Sequence, residues 1–90
     1  MIKIELPEAL RPVAGGAQEI SVDAGSVAEA LEELGRRHPE ARLRILTRGG
    51  RVRPHVNLFV RERDIRSGDG LDTVLEDGDS LLVVPSVAGG

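Results

Sequence analysis

The sequence contains no cysteine, tryptophan or tyrosine, and its one aromatic residue is Phe59. Without cysteine, the chain cannot form disulfides, use a thiolate nucleophile or hold zinc or an iron–sulfur cluster through sulfur. A single aromatic side chain excludes the stacking platforms that bind single-stranded nucleic acid. The two histidines, His38 and His55, are far apart in the sequence, so no metal site is expected.

The sequence also lacks an apolar run long enough to span a bilayer, and no signal-peptide pattern follows Met1. These features predict a cytoplasmic protein without a membrane partner. The chain has 90 residues, of which 40% are hydrophobic and 30% are charged. This composition is typical of one small globular domain with a single core.

The charged residues are unevenly distributed along the chain, although the net charge is only −3. Ten arginines and three acids lie between Arg36 and Arg66, whereas five acids and no base lie between Asp69 and Asp79. Such a distribution is typical either of a surface that steers a partner or of solvated loops. Nucleic-acid binding by the arginines is an alternative, but the net acidic charge and the lack of aromatics argue against it.

Two strands are predicted before the first helix. Apolar and charged residues alternate over residues 1–6, which indicates a half-buried strand that Pro7 ends. A second short alternation places Ile20 and Val22 on one side. We therefore expect a β-hairpin with a fairly long connection.

The clearest element is an amphipathic helix. Ser26 and Glu29 have the spacing of a capping box, and Pro39 ends the helix near His38. One helical stripe contains the apolar residues Val27, Ala30, Leu31 and Leu34.

Residues 40–53 are the least readable part, where Leu43 and Leu46 (or Ile45) are expected to anchor one helical turn. A third strand is predicted at 56–60, and Ile65 is expected on a short edge strand. Residues 71–75 suit a single 3₁₀-like turn. The apolar residues 81–84 then form the last strand, which Pro85 ends.

This order of elements predicts an α+β fold of the β-grasp (ubiquitin-like) type. A mixed sheet of four to five strands would wrap around one main helix, with the first and last strands adjacent and parallel in its middle. The predicted core consists of Ile2, Ile4, Val27, Leu31, Leu34, Val56, Leu58, Leu81 and Val83.

We predict a β-grasp domain over residues 1–85 and a flexible tail over residues 86–90. Gly89 and Gly90 have no side chains, so the α-carboxylate of Gly90 would sit on a segment narrow enough to enter an enzyme tunnel. Strand alternation would turn Phe59, Leu82 and Val84 outward, where they would form a docking surface for partner enzymes.

Several motifs resemble the ubiquitin-like sulfur carriers of the MoaD/ThiS/CysO family. These motifs are Met1-Ile2-Lys3-Ile4, the helix stripe with its Arg37-His38-Pro39 exit, Val56-Asn57-Leu58-Phe59-Val60, Asp64-Ile65-Arg66, Gly70-Leu71-Asp72-Thr73, Asp77-Gly78-Asp79 and Val84-Pro85-Ser86-Val87-Ala88-Gly89-Gly90. The resemblance extends along nearly the whole chain. The acidic turn, apolar strand, proline and terminal Val-Ala-Gly-Gly together make it specific.

The resemblance implies a carrier rather than an enzyme, with no bound cofactor. An E1-like enzyme would use ATP to adenylate the Gly90 carboxylate, and a sulfur donor would convert it to a thiocarboxylate. Residues 87–90, Val87, Ala88, Gly89 and Gly90, would lie in the partner's active site. The chain has no phosphate-binding loop of its own to hold ATP.

Residues 50–57, 64–66 and 70–73 are most similar to the carriers that serve cysteine biosynthesis with a PLP-dependent cysteine synthase. The alternative is the small subunit of molybdopterin synthase, whose partner would be the large subunit. A third possibility is a ubiquitin-like protein modifier, with Gly90 joined to a lysine. The sequence leaves carrier and modifier open, because both begin with the same acyl-adenylate.

Overall fold

The computed structural model describes residues 1–86, so the predicted tail residues Val87 to Gly90 lie outside the described part. The strands are β1 (Ile2–Glu5), β2 (Glu19–Val22), β3 (Val56–Val60), β4 (Arg63–Asp64) and β5 (Ser80–Pro85). The helices are α1 (Val27–Arg37) and α2 (Pro39–Ile45), and 3₁₀ turns cover Glu8–Ala14, Ile65–Ser67 and Gly70–Asp72. No helix among residues 1–86 is long and apolar enough to cross a membrane.

The strands form one mixed sheet in the order β2-β1-β5-β3-β4. β1 and β5 are parallel and lie in the middle, while β2 and β3 pair antiparallel to them on either side. The first hairpin and the parallel central pair were both expected from the sequence. The predicted β-grasp fold is therefore confirmed.

Helix α1 begins where the capping-box spacing predicts. The Oγ atom of Ser26 accepts a hydrogen bond from the backbone N–H of Glu29 at 3.2 Å. The Glu29 carboxylate in turn accepts from the backbone N–H of Gly25 at 2.8 Å, one residue earlier than in the usual box. The first bond satisfies an N–H group that the helix start would otherwise leave unpaired, and the second holds the residue before the N-cap.

The core lies between the sheet and α1. All nine residues predicted for it are buried: Ile2, Ile4, Val27, Leu31, Leu34, Val56, Leu58, Leu81 and Val83. Further buried residues come from α2 and from the turns, including Leu10, Ile45 and Ile65. A core assembled from most of the elements fits a domain of this size, which has only one place to bury apolar surface.

Two local predictions need correction. The region after Pro39 is a helix of seven residues rather than one turn, and its buried residues are Ala41 and Ile45, while Leu43 stays half-exposed. Ile65 does not belong to the edge strand β4 but to the 3₁₀ turn after it, where its side chain is buried. The Asp64 carboxylate starts that turn by accepting from the backbone N–H of Arg66 at 2.8 Å.

Candidate functional site

The central strand β5 carries the chain toward the predicted tail. Its last residue, Pro85, lies opposite Val56, the first residue of β3. Pro85 cannot donate a ladder hydrogen bond, but Ser86 does, from its backbone N–H to the carbonyl of His55 at 2.6 Å. This bond fixes the point at which the chain leaves the sheet.

The face of the sheet that points away from α1 carries the predicted docking residues. Phe59 and Leu82 are direct cross-strand partners, and Val84 lies opposite Asn57. Leu82 is 41% exposed, and Phe59 and Val84 are half-buried. The predicted outward orientation of Phe59, Leu82 and Val84 is therefore confirmed, while their role in docking stays a prediction.

A shallow concavity of about 410 Å³ lies over Phe59 and Leu82. The remaining residues that line it are Glu5, Arg61, Glu62 and Ser80. An apolar floor with a charged rim is suited to bind an apolar side chain from a partner. On binding, the apolar centre loses its hydration water, while the charged rim stays solvated.

The turn between β3 and β4 is held in a strained conformation. Arg61 and Glu62 have φ values of 50° and 66°, in the left-handed region that side chains with a Cβ seldom adopt. The guanidinium of Arg61 forms an ion pair with Asp79 and donates to the carbonyl of Val74 at 3.3 Å. These contacts connect the turn to the beginning of β5 and so keep it in place.

Arg66 is exposed, but its guanidinium forms hydrogen bonds that hold the beginning of β3. Its guanidinium donates to the side-chain oxygen of Asn57 at 2.8 Å, and to the carbonyls of Val56 and Arg53 at 2.7 and 3.1 Å. These acceptors surround the beginning of β3, next to the point where Ser86 leaves the sheet. The sequence marks Arg66 only as part of the Asp64-Ile65-Arg66 motif and does not indicate these hydrogen bonds.

The opposite end of β5 is acidic. Asp77 pairs with the ammonium group of Met1, and that hydrogen bond and positive charge lower the pKa of Asp77 from its ordinary value. The pKa of Asp79 is lowered mainly by the hydrogen bond from the backbone N–H of Glu76, and further by Arg61. Both carboxylates therefore stay charged to a lower pH than an ordinary aspartate does.

The two histidines serve separate parts of the fold. His38 ends α1, where its backbone N–H donates to the carbonyl of Leu34 at 2.7 Å, and His55 is exposed before β3. Among residues 1–86, no group of three or more histidine or acidic side chains is placed to hold a metal ion.

Comparison with known proteins agrees with this geometry. The ThiS family model matches residues 4–90. The sulfur carrier protein CysO of Mycobacterium tuberculosis is 30% identical over 91 residues, which cover 99% of this chain and 98% of that protein. Among solved structures, the Amycolatopsis orientalis BexX/CysO complex contains a chain with a TM-score of 0.91 and 29% identity, with full coverage of both chains.

The small archaeal modifier protein 1 of Methanosarcina acetivorans is also similar. Its TM-score is 0.87 at 27% identity, and the match covers 99% of this chain and 95% of that one. Carriers and modifiers thus share this architecture along its full length. With a family match that extends from β1 through the last residue, the chain belongs to the ThiS family.

Proposed function

We propose that this chain is a sulfur carrier in which the Gly90 carboxylate is the group that is activated and loaded. The observation that supports this most strongly is the match to the ThiS family through residue 90, together with CysO relatives that align over their full length. The fold is consistent with that role, because the central strand β5 ends at Pro85, five residues before Gly90.

The chemistry of loading has two steps, and neither is performed by this chain. A Gly90 carboxylate oxygen attacks the α-phosphorus of ATP on an E1-like enzyme, and pyrophosphate leaves. A sulfide equivalent then attacks the carbonyl carbon, and AMP leaves with the carboxylate oxygen. The product is a thiocarboxylate, in which sulfur replaces one oxygen. The chain is therefore a protein co-substrate, and ATP is bound by its partner.

We expect this chain to present its Gly90 carboxylate to the active site of the partner enzyme. Phe59, Leu82 and Val84 provide an apolar docking face on rigid strands, and Ser86 fixes the base of the tail against β3. Positioning of this kind is effective because an attack geometry tolerates displacements of only about 1 Å. Binding energy gained on the docking face is thus used to hold Gly90 at the reacting phosphate.

The acceptor that we propose is a PLP-dependent cysteine synthase. The support is the full-length similarity to proteins named CysO and the motifs at residues 64–66 and 70–73. In that reaction the thiocarboxylate sulfur would add to the carbon–carbon double bond of an aminoacrylate, which the synthase would form by eliminating phosphate or acetate from an O-substituted serine. Hydrolysis of the acyl group would return Gly90 to its carboxylate form.

A second candidate function is protein modification. The observation that favours it is the TM-score of 0.87 to a small archaeal modifier protein. Both functions begin with adenylation of Gly90 and differ in what attacks next. A sulfur nucleophile gives a thiocarboxylate, whereas a lysine amine gives an isopeptide bond to another protein.

The test is the intact mass of the chain after incubation with ATP, a sulfide source and the E1-like enzyme of the same organism. We expect a mass increase that corresponds to replacement of one oxygen by sulfur, and no increase without ATP. Addition of cell lysate then distinguishes the two functions. A ladder of conjugates in place of free thiocarboxylate would favour the modifier, and an unchanged mass under all conditions would contradict both.

A further inference from the structure

A small groove lies beside the point where the chain leaves the sheet. Its volume is about 170 Å³, and its apolar lining includes Pro7, Ala9, Leu10 and Val83, together with Pro85 at the end of β5. Arg44 and His55 line the same groove. The groove is separate from the concavity over Phe59 and Leu82, with which it shares no lining residue.

The surroundings of this groove are cationic. Arg44, Arg53 and His55 also line a neighbouring depression of about 450 Å³, where Glu40 is the one acidic lining residue. Arg53 is anchored there because its Nε donates to the carbonyl of Leu43 at 2.6 Å. The acidic residues Asp77 and Asp79 lie at the other end of β5. The lining next to the end of β5 thus holds two arginines against one acid, Glu40, which pairs with Arg44 at 3.1 Å.

The length of the tail determines how close a partner must come. Four residues, Val87 to Gly90, follow Ser86. Fully extended, they span at most about 13–14 Å, at 3.3–3.6 Å per residue. A specific interface covers roughly 800 Å² on each protein, which corresponds to a disc about 16 Å in radius. An enzyme that acts on Gly90 must therefore come within about 13–14 Å of Ser86, which is close enough for its surface to reach the groove.

From these features we propose that the groove and Arg44 bind the surface of the activating enzyme that surrounds its active-site entrance. That surface would supply an apolar side chain that enters the groove and a carboxylate that pairs with Arg44. This inference rests on the proposed function, since it takes Gly90 as the enzyme's substrate. The arginines beside the groove would then face acidic residues around the enzyme's active-site entrance, and this charge complementarity would orient the tail toward the entrance.

Two variants test the groove and its charge separately. Arg44→Glu reverses the charge, and Ala9→Phe fills the groove from the exposed 3₁₀ turn. The matched control is Arg36→Glu. It makes the same charge change on α1 and likewise removes one helical ion pair, with Glu33 at 3.3 Å, as Arg44→Glu removes the pair with Glu40 at 3.1 Å.

The readout is ATP–pyrophosphate exchange by the E1-like enzyme of the same organism at low and high salt, with thermal unfolding as a check of folding. We expect Arg44→Glu to raise KM about two- to tenfold at low salt and much less at high salt, because rim ion pairs are screened. Ala9→Phe should raise KM at both salt concentrations. In both variants kcat should stay close to wild type, and Arg36→Glu should leave KM unchanged.

A KM that is unchanged in both variants, or raised equally by Arg36→Glu, would overturn the proposal. If Arg44→Glu lowers the melting temperature, the milder Arg44→Gln replaces it, with about half of the effect on log KM expected. Binding of a labelled oligonucleotide that requires Arg44, with unchanged KM, would assign the arginines beside the groove to nucleic acid instead. A wild-type chain that the enzyme does not adenylate would contradict the proposed function itself, which separates the two failures.

Discussion

Leu58 and Phe59 are neighbours on β3 that face opposite sides of the sheet, so truncation of one should affect stability and truncation of the other should affect partner binding. Leu58 is fully buried in the core, whereas Phe59 is half-buried on the outward face, opposite Leu82. We predict that Leu58→Ala reduces stability with little effect on partner binding. Phe59→Ala should weaken partner binding with little effect on stability.

The magnitudes follow from these environments. Truncation of a buried leucine to alanine costs about 2–5 kcal/mol, which lowers the melting temperature by roughly 8–40 °C in a domain of this size. The cross-strand contact of Phe59 with Leu82 is worth at most about 1 kcal/mol. An aromatic anchor at the centre of an interface is worth about 2 kcal/mol or more in binding, or roughly 30-fold in Kd.

The assay combines thermal unfolding with titration of the activating enzyme, at a temperature where both variants are folded. The expected pattern is a crossed one, with a large fall in melting temperature for Leu58→Ala and a large rise in Kd for Phe59→Ala. A large stability loss and unchanged Kd for Phe59→Ala would show that this side chain belongs to the core. The docking role of the outward face would then be wrong.

Three further predictions concern stability. Leu31→Ala opens a cavity beneath the sheet and should cost about 2–5 kcal/mol in urea unfolding; a cost below about 1 kcal/mol would contradict the packing of α1. Gly35→Ala places a Cβ 2.5 Å from Cδ of Arg42, so this substitution should destabilise the wild-type protein. In an Arg42→Ala variant, where the clash is absent, the same substitution should stabilise helix α1 by about 1 kcal/mol. Additive effects of the two substitutions in a double-mutant cycle would refute the clash. The carboxylates of Asp77 and Asp79 stabilise the fold because their pKa values are lower in the folded state. This stabilisation is fully present when the pH is above 3.8, their ordinary pKa value, and it is lost as the pH falls through the folded-state pKa values. In urea unfolding, the free energy of unfolding should therefore fall less between pH 7 and pH 3 for Asp79→Asn than for wild type. An equal fall in both proteins would contradict this prediction.

Much of the fold was predictable because local and tertiary preferences agree. The alternation in β1 and the helical stripe of α1 each bury one face against the same core, so the pattern alone fixed their orientation. The outward placement of Phe59 followed in the same way, because β3 and β5 are buried on their other face and the side-chain period of a strand is two. The role proposed for Gly90 came from the family resemblance, because no hydrophobic periodicity indicates it.

The remaining errors lie where packing overrides a weak local signal. In α2, the arginines Arg42 and Arg44 interrupt the apolar pattern, and the stem of Arg42 packs over Gly35 instead of facing solvent. The 3₁₀ turn Glu8–Ala14 contains Pro12 and only two buried residues, so no helical period is visible. The hydrogen bonds of Arg66 to the start of β3 join residues that only the folded chain brings together.

The central claim is that the carboxylate of Gly90 is the working group, and tandem mass spectrometry of the loaded chain tests it most directly. After incubation with ATP, sulfide and the activating enzyme, wild type should carry one sulfur, located on Gly90. Deletion of Gly90, Gly89→Val and addition of one residue after Gly90 should each abolish this product while the melting temperature stays unchanged. Deletion removes about 3.3–3.6 Å of reach, more than the roughly 1 Å that an attack geometry tolerates. Sulfur incorporation at the normal rate by a chain that lacks both Gly89 and Gly90 would contradict the account.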